Sequence, residues 1–172
     1  MNEASDSSPG SGGNDAGYLA MQEKVKGSNI DETTLLATDY LNHFNEIVML
    51  LEMIPDMPEM LDEVKEWQPK PYKDHFRDST IVEKDLAIEA YDFVPTIYRE
   101  PFEQTVEQIN TLITSTVDRL EKNIADGDDN VIRNDATTLS QLIQRLMDTA
   151  SAIMHGSSKT MEQSEIDILL GE

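Results

Sequence analysis

Three histidines and a large excess of carboxylates are the groups in this chain with acid–base or metal-binding chemistry. His43 lies between Tyr40 and Phe44, with Asp39 four residues before it and Glu46 three after. On a helix that spacing sets the three side chains on adjacent turns of one face, the placement that metal ligands take inside a helical bundle. Di-metal carboxylate bundles, however, draw a Glu-x-x-His unit from each of two helices. No histidine here has a glutamate three residues before it, so a histidine flanking the core is the preferred reading of His43. No metal and no cofactor is assigned. With no cysteine in the chain, disulfides, thiolate nucleophiles and cysteine-based zinc or iron–sulfur sites are excluded.

Phosphotransfer is the other chemistry open to His43. Phosphotransfer bundles usually follow their histidine with a lysine and a glycine, whereas Phe44, Asn45 and Glu46 stand here. His75 falls in a proline-broken connector and reads as a surface or partly packed residue. His155 precedes Gly156 at a helix end, where a cation suits the dipole. Met49, Met53, Met57 and Met60 gather around Pro55 and Pro58. Flexible, polarizable side chains at that density form an adaptable groove, here Met53, Met57 and Met60 with Trp67, or else fill gaps where a broken helix packs.

The elements that must position these groups are helices. Leu36, Tyr40, Phe44, Ile47, Leu51 and Ile54 recur at intervals of three and four, with Asp31 as the expected N-cap and Pro55 as the stop. A shorter helix is expected over Pro58–Trp67, and Gln68–Pro71 breaks the chain. One turn over Tyr72–Ser79 and a helix over Glu83–Phe93 follow, with Pro95 and Pro101 bracketing a connector. From Phe102 to Ile124 the apolar positions step by four or three, and after a six-residue turn, Ala125–Asn130, the pattern resumes to Ile153, with Gly156 as C-cap. Two such helices predict an antiparallel hairpin, with the helix ending at Ile54 as third wall. No segment shows the alternation of a sheet. The fold class is therefore all-α: a helical bundle over residues 31–156, built on a long antiparallel hairpin.

Residues 1–30 form an acidic N-terminal segment, expected to be disordered to Gly17 and weakly helical from Tyr18 to Lys26. It has no basic and apolar secretory pattern, and no run of eighteen apolar residues occurs, so the expectation is a cytoplasmic protein without membrane insertion. Acids outnumber bases by 34 to 13, giving a formal net charge of −21. That charge repels nucleic acid and anionic lipid and favours encounter with a basic protein surface, besides keeping the chain in solution.

Residues 157–172 read as a flexible joint and a C-terminal docking peptide. Thr160 and Gln163 have capping-box spacing, and Met161, Ile166, Leu169 and Leu170 gather on one side of a short helix. A two-turn helix is marginal alone in water and needs a surface, on this protein or another. Gln163-Ser164-Glu165-Ile166-Asp167-Ile168-Leu169-Leu170 resembles the N-terminal peptide of the flagellar switch protein FliM, Ser-Gln-x-Glu-Ile-Asp-x-Leu-Leu. It is loosely similar to the acidic, leucine-rich tail of the chemotaxis phosphatase CheZ. The first resemblance implies that Glu165, Ile166, Asp167, Leu169 and Leu170 dock on a CheY-like receiver domain, and it covers about a dozen residues at the opposite chain end from FliM's.

The hairpin also looks like CheZ architecture, whose catalytic pattern is an acid followed four residues later by a glutamine. Near the hairpin only Glu100 and Gln104 have that spacing, at a helix start, and Asp135 and Gln141 are six apart. The resulting expectation is a non-catalytic adaptor that binds a response regulator in chemotaxis or motility. The alternatives are a phosphatase or histidine phosphotransfer bundle, and a structural homodimer formed through the hairpin.

Overall fold

The computed structural model describes residues 11–171 and contains eight α-helices and no strand among them. They are α1 (Ser11–Val25), α2 (Asn42–Met53), α3 (Leu61–Glu66), α4 (Tyr72–Arg77), α5 (Lys84–Tyr91), α6 (Thr96–Asp126), α7 (Asp129–Met154) and α8 (Gln163–Leu170). The α6–α7 hairpin is the spine: the two helices pack along their lengths, α2 lies against α7, and α3 against α6. Ile109, Leu120, Ile143, Leu146 and Ile153 are fully shielded between these helices, as their heptad-like spacing requires.

The hairpin turn is tighter than its six polar residues suggest. α6 runs through Ala125 and Asp126, Gly127 takes the left-handed conformation (φ +77°), and Asp128 caps α7 by accepting from Asn130 N–H and Val131 N–H. Pro101 lies inside α6 and not in a connector. Pro95 is the N-cap and Pro101 lies past the first turn, so its missing N–H leaves the carbonyl of Ile97 without an intrahelical donor.

The stripe from Leu36 to Ile54 is buried as expected, but Asp31 does not start a continuous helix. Its carboxylate accepts from Thr33 N–H at 2.8 Å and Thr34 N–H at 2.9 Å, which begins one turn. Leu35 then enters the left-handed region (φ +62°), and Ile30 pairs with Ala37 in an isolated antiparallel bridge. A 3₁₀ turn over Thr38–Leu41 leads into α2. Burial of Leu35 and Leu36 offsets the backbone cost, about 1–2 kcal/mol for a left-handed leucine. Thr34 Oγ1 donates to Met154 O at 2.7 Å, tying this loop to the end of α7.

The stretch expected to be unstructured lies outside the described residues as far as residue 10. From Ser11 the chain is helical, earlier than the Tyr18 start read from the apolar pattern. Met21 and Val25 belong to the bundle core, and Gly17 approaches Phe93 so closely that a Cβ would stand 2.6 Å from the ring. Tyr18 Oη donates to Thr33 O at 2.6 Å and Gln22 Nε2 to Glu32 O at 2.8 Å. Tertiary packing, invisible to local composition, holds this helix. No described helix is long and apolar enough to cross a membrane.

Candidate functional site

After α7 the chain turns at His155 and at Gly156 (φ +113°), with Ser157 N–H donating to Ala152 O at 2.9 Å. Thr160 is not the cap of the last helix: Glu162 occupies the N-cap position without a side-chain bond. Burial of Met161 against the body sets this start, and Gln108 Nε2 of α6 donates to Met161 O at 3.0 Å. α8 ends at Gly171 (φ +78°), whose N–H reaches Ile168 O at 3.0 Å.

The five residues singled out on this peptide divide by face. Ile166 is 2% exposed and is the one fully buried side chain of α8. Leu170 is half-buried, packed against the core, and its carbonyl accepts from Arg119 Nη1 at 3.4 Å. Asp167 is half-buried, Glu165 is exposed and Leu169 is 36% exposed. Ile168, next to them, is 72% exposed. One face of α8 thus rests on the hairpin and another presents branched apolar side chains to solvent. Beside the resting face lies a cleft of about 460 Å³, lined by Gln104, Glu107, Gln108, Thr111, Leu112 and Ser115 of α6 and by Gln163, Ile166, Asp167 and Leu170. The lining carries two carboxylates and no cation, and Gln108 Oε1 is buried without a hydrogen-bond partner.

Arg119 links this site to the turn end of the hairpin. Its Nε and Nη2 donate to Asp135 at 2.9 and 3.1 Å, and Asn123 Nδ2 also donates to that carboxylate. Asp135 is buried, and a buried carboxylate is stable only when its oxygens are matched in this way. The cluster was legible as Arg119 and Asn123 four apart on α6 and an acid in line with Ile132 and Leu139, but not as a pair. It engages Asp135 fully. Gln141 faces another cleft, with Glu52 and Arg133, so the two are not brought together. Glu100 and Gln104 are both exposed, and only Gln104 lines the α8 cleft.

His43 sits in an aromatic cluster on the opposite side of α6. Its ring stacks on Trp67 at 4.6 Å with planes 21° apart, and its Nε2 accepts from Lys70 N–H at 3.1 Å. Trp67 Nε1 donates to His43 O at 3.2 Å. These bonds fasten the Gln68–Pro71 segment, and they require a neutral imidazole with its proton on Nδ1. Burial, aided by His75 and Lys70 nearby, lowers the His43 pKa to about 4. His75, 6.2 Å from His43 between ring centres, is lowered chiefly by burial, against a raising backbone hydrogen bond with Asp39. Among the described residues no group of three or more acids and histidines is arranged to hold a metal ion.

Of the methionines, Met53 and Met57 stand exposed, while Met60 and Trp67 pack on the core. Trp67 also lines a cleft with Val64, Ile113 and Val117, where α3 meets α6. His155 caps α7, its Nδ1 lying 2.7 Å from Ser151 O. Compared with known proteins, the chain matches no family model, no curated protein and no solved structure.

Proposed function

We propose that this chain is a cytoplasmic, non-catalytic adaptor whose C-terminal helix recruits a receiver-type response regulator, in chemotaxis or flagellar motility. The observation that carries this reading is the two-faced character of α8. It is a separate helix joined to the bundle by a short linker, and it presents Ile168 and Leu169 to solvent within the segment that resembles the FliM peptide. Apolar side chains on an acidic helix suit a partner groove with an apolar floor and basic rim. The binding residues are Ile166, Asp167, Leu169 and Leu170, with Glu165 on the rim.

Two further observations favour binding over catalysis. The His43 nitrogen that an exposed phosphotransfer histidine would offer is engaged by Lys70 N–H. The acid–glutamine pairs on the hairpin do not converge on a shared cleft. The test is capture of a purified, phosphorylated receiver domain by the intact chain and by Leu169→Ala. Leu169 lies outside the buried core, so the variant keeps its fold. Retention by the intact chain and its loss in the variant support the recruiting role. Equal retention, or none, removes it.

A further inference from the structure

We infer that the bundle masks its own recognition helix, so that α8 exchanges between a closed position on the hairpin and an open position bound to the partner. This rests on the recruiting role proposed above and concerns its regulation. Ile166 and Leu170 belong to the segment proposed to grip the partner, yet they are also the residues of α8 that rest on the body. One side chain cannot fill two pockets at once, so closure and binding compete. Apparent affinity is then the intrinsic affinity reduced by the open fraction.

The closed state is held lightly. Ile166 and Met161 are the buried anchors, and the polar ties are Gln108 to Met161 O at 3.0 Å and Arg119 to Leu170 O at 3.4 Å. Against them, Glu107 and Asp167 line the cleft beside α8 with like charge, and no cation is part of that lining. Like charges raise the energy of closure. A basic partner surface would relieve the acids that the hairpin leaves uncompensated, which favours exchange over rigid docking.

Met161 and Gln108 hold the closed state from outside the Gln163–Leu170 segment, and so allow the latch to be weakened without altering the binding peptide. The experiment uses the full chain, the double variant Gln108→Ala/Met161→Ala, and a receiver domain of the chemotaxis class activated with beryllofluoride. Hydrogen exchange of the Asp167–Gly171 amides reports closure, and calorimetric titration reports affinity. Masking predicts that the double variant exchanges about ten-fold faster at these amides and binds tighter by a similar factor, about ten-fold. Faster exchange with unchanged affinity overturns masking and leaves the recruiting role standing. Wild-type amides that exchange at the rate of an unstructured peptide also overturn it. Faster exchange with no binding by either form overturns the recruiting role, and masking falls with it.

Discussion

Acidification should loosen the His43 anchor, and the size of the effect follows from its surroundings. Nε2 of His43 accepts from Lys70 N–H, and a protonated ring cannot accept. Its pKa is about 4 in the fold against 6.5 for a free histidine, so protons bind the unfolded chain more readily. The sign follows: the contribution to stability is complete above pH 6.5 and is lost as pH falls from 6.5 towards 4. At pH 5 the full shift would remove about 2 kcal/mol, at 1.36 kcal/mol per unit. The ring is only half-buried, and solvent screening reduces this to about 1 kcal/mol. Because protonation of the many carboxylates also changes stability with pH, the informative quantity is the difference between wild type and His43→Gln, which keeps an acceptor and does not titrate. Urea unfolding at pH 7.5 and pH 5 should show wild type losing about 1 kcal/mol relative to the variant. Parallel behaviour of the two proteins across that interval would refute the neutral, hydrogen-bonded assignment of His43.

Three other perturbations have defined outcomes. Asp135→Ala strands the Arg119 guanidinium beside the hairpin core and removes a partner of Asn123. It should cost about 2–3 kcal/mol in urea unfolding, below the 3–5 kcal/mol of a fully buried pair because Arg119 is part-exposed. Gly127→Ala meets no neighbouring atom, so its cost is that of an alanine at φ +77°, about 1 kcal/mol, seen as a lower Tm. Ile166→Ala should accelerate amide exchange within α8 by about ten-fold while barely moving the urea midpoint of the bundle, since α8 opens locally.

The hairpin was legible because its signal is local and repeated: an apolar residue every three or four positions from Phe102 to Ile153 leaves one way to bury the stripe. The α2 stripe was legible for the same reason, but its start was not. Asp31 followed by acids and threonines has the form of an N-cap, and its carboxylate does cap a turn. What ends that turn is the burial of Leu35 in a left-handed conformation, a tertiary demand with no marker in composition. The helix over Ser11–Val25 was missed in its first half because Gly, Asn and Asp disfavour helices locally, whereas contacts such as Gly17 on Phe93 lie far apart in sequence. At the candidate site the peptide and its apolar residues could be read from the chain. That Ile166 and Ile168 lie on different sides was legible from their spacing, but whether the Ile166 side packs on this body was not, because the surface it meets comes from α6 and α7, and that surface leaves Leu169 exposed. The pairing of Arg119 with Asp135 was hidden for a similar reason: it depends on the register of the hairpin.

The most direct test of the recruiting role is a calorimetric titration of an activated receiver domain into the intact chain and into Ile168→Ala/Leu169→Ala. Saturable binding to the intact chain, weakened by about ten-fold or more in the variant with the bundle's melting unchanged, is the predicted result. Equal affinity in the two proteins, or no heat of binding to the intact chain, would contradict it.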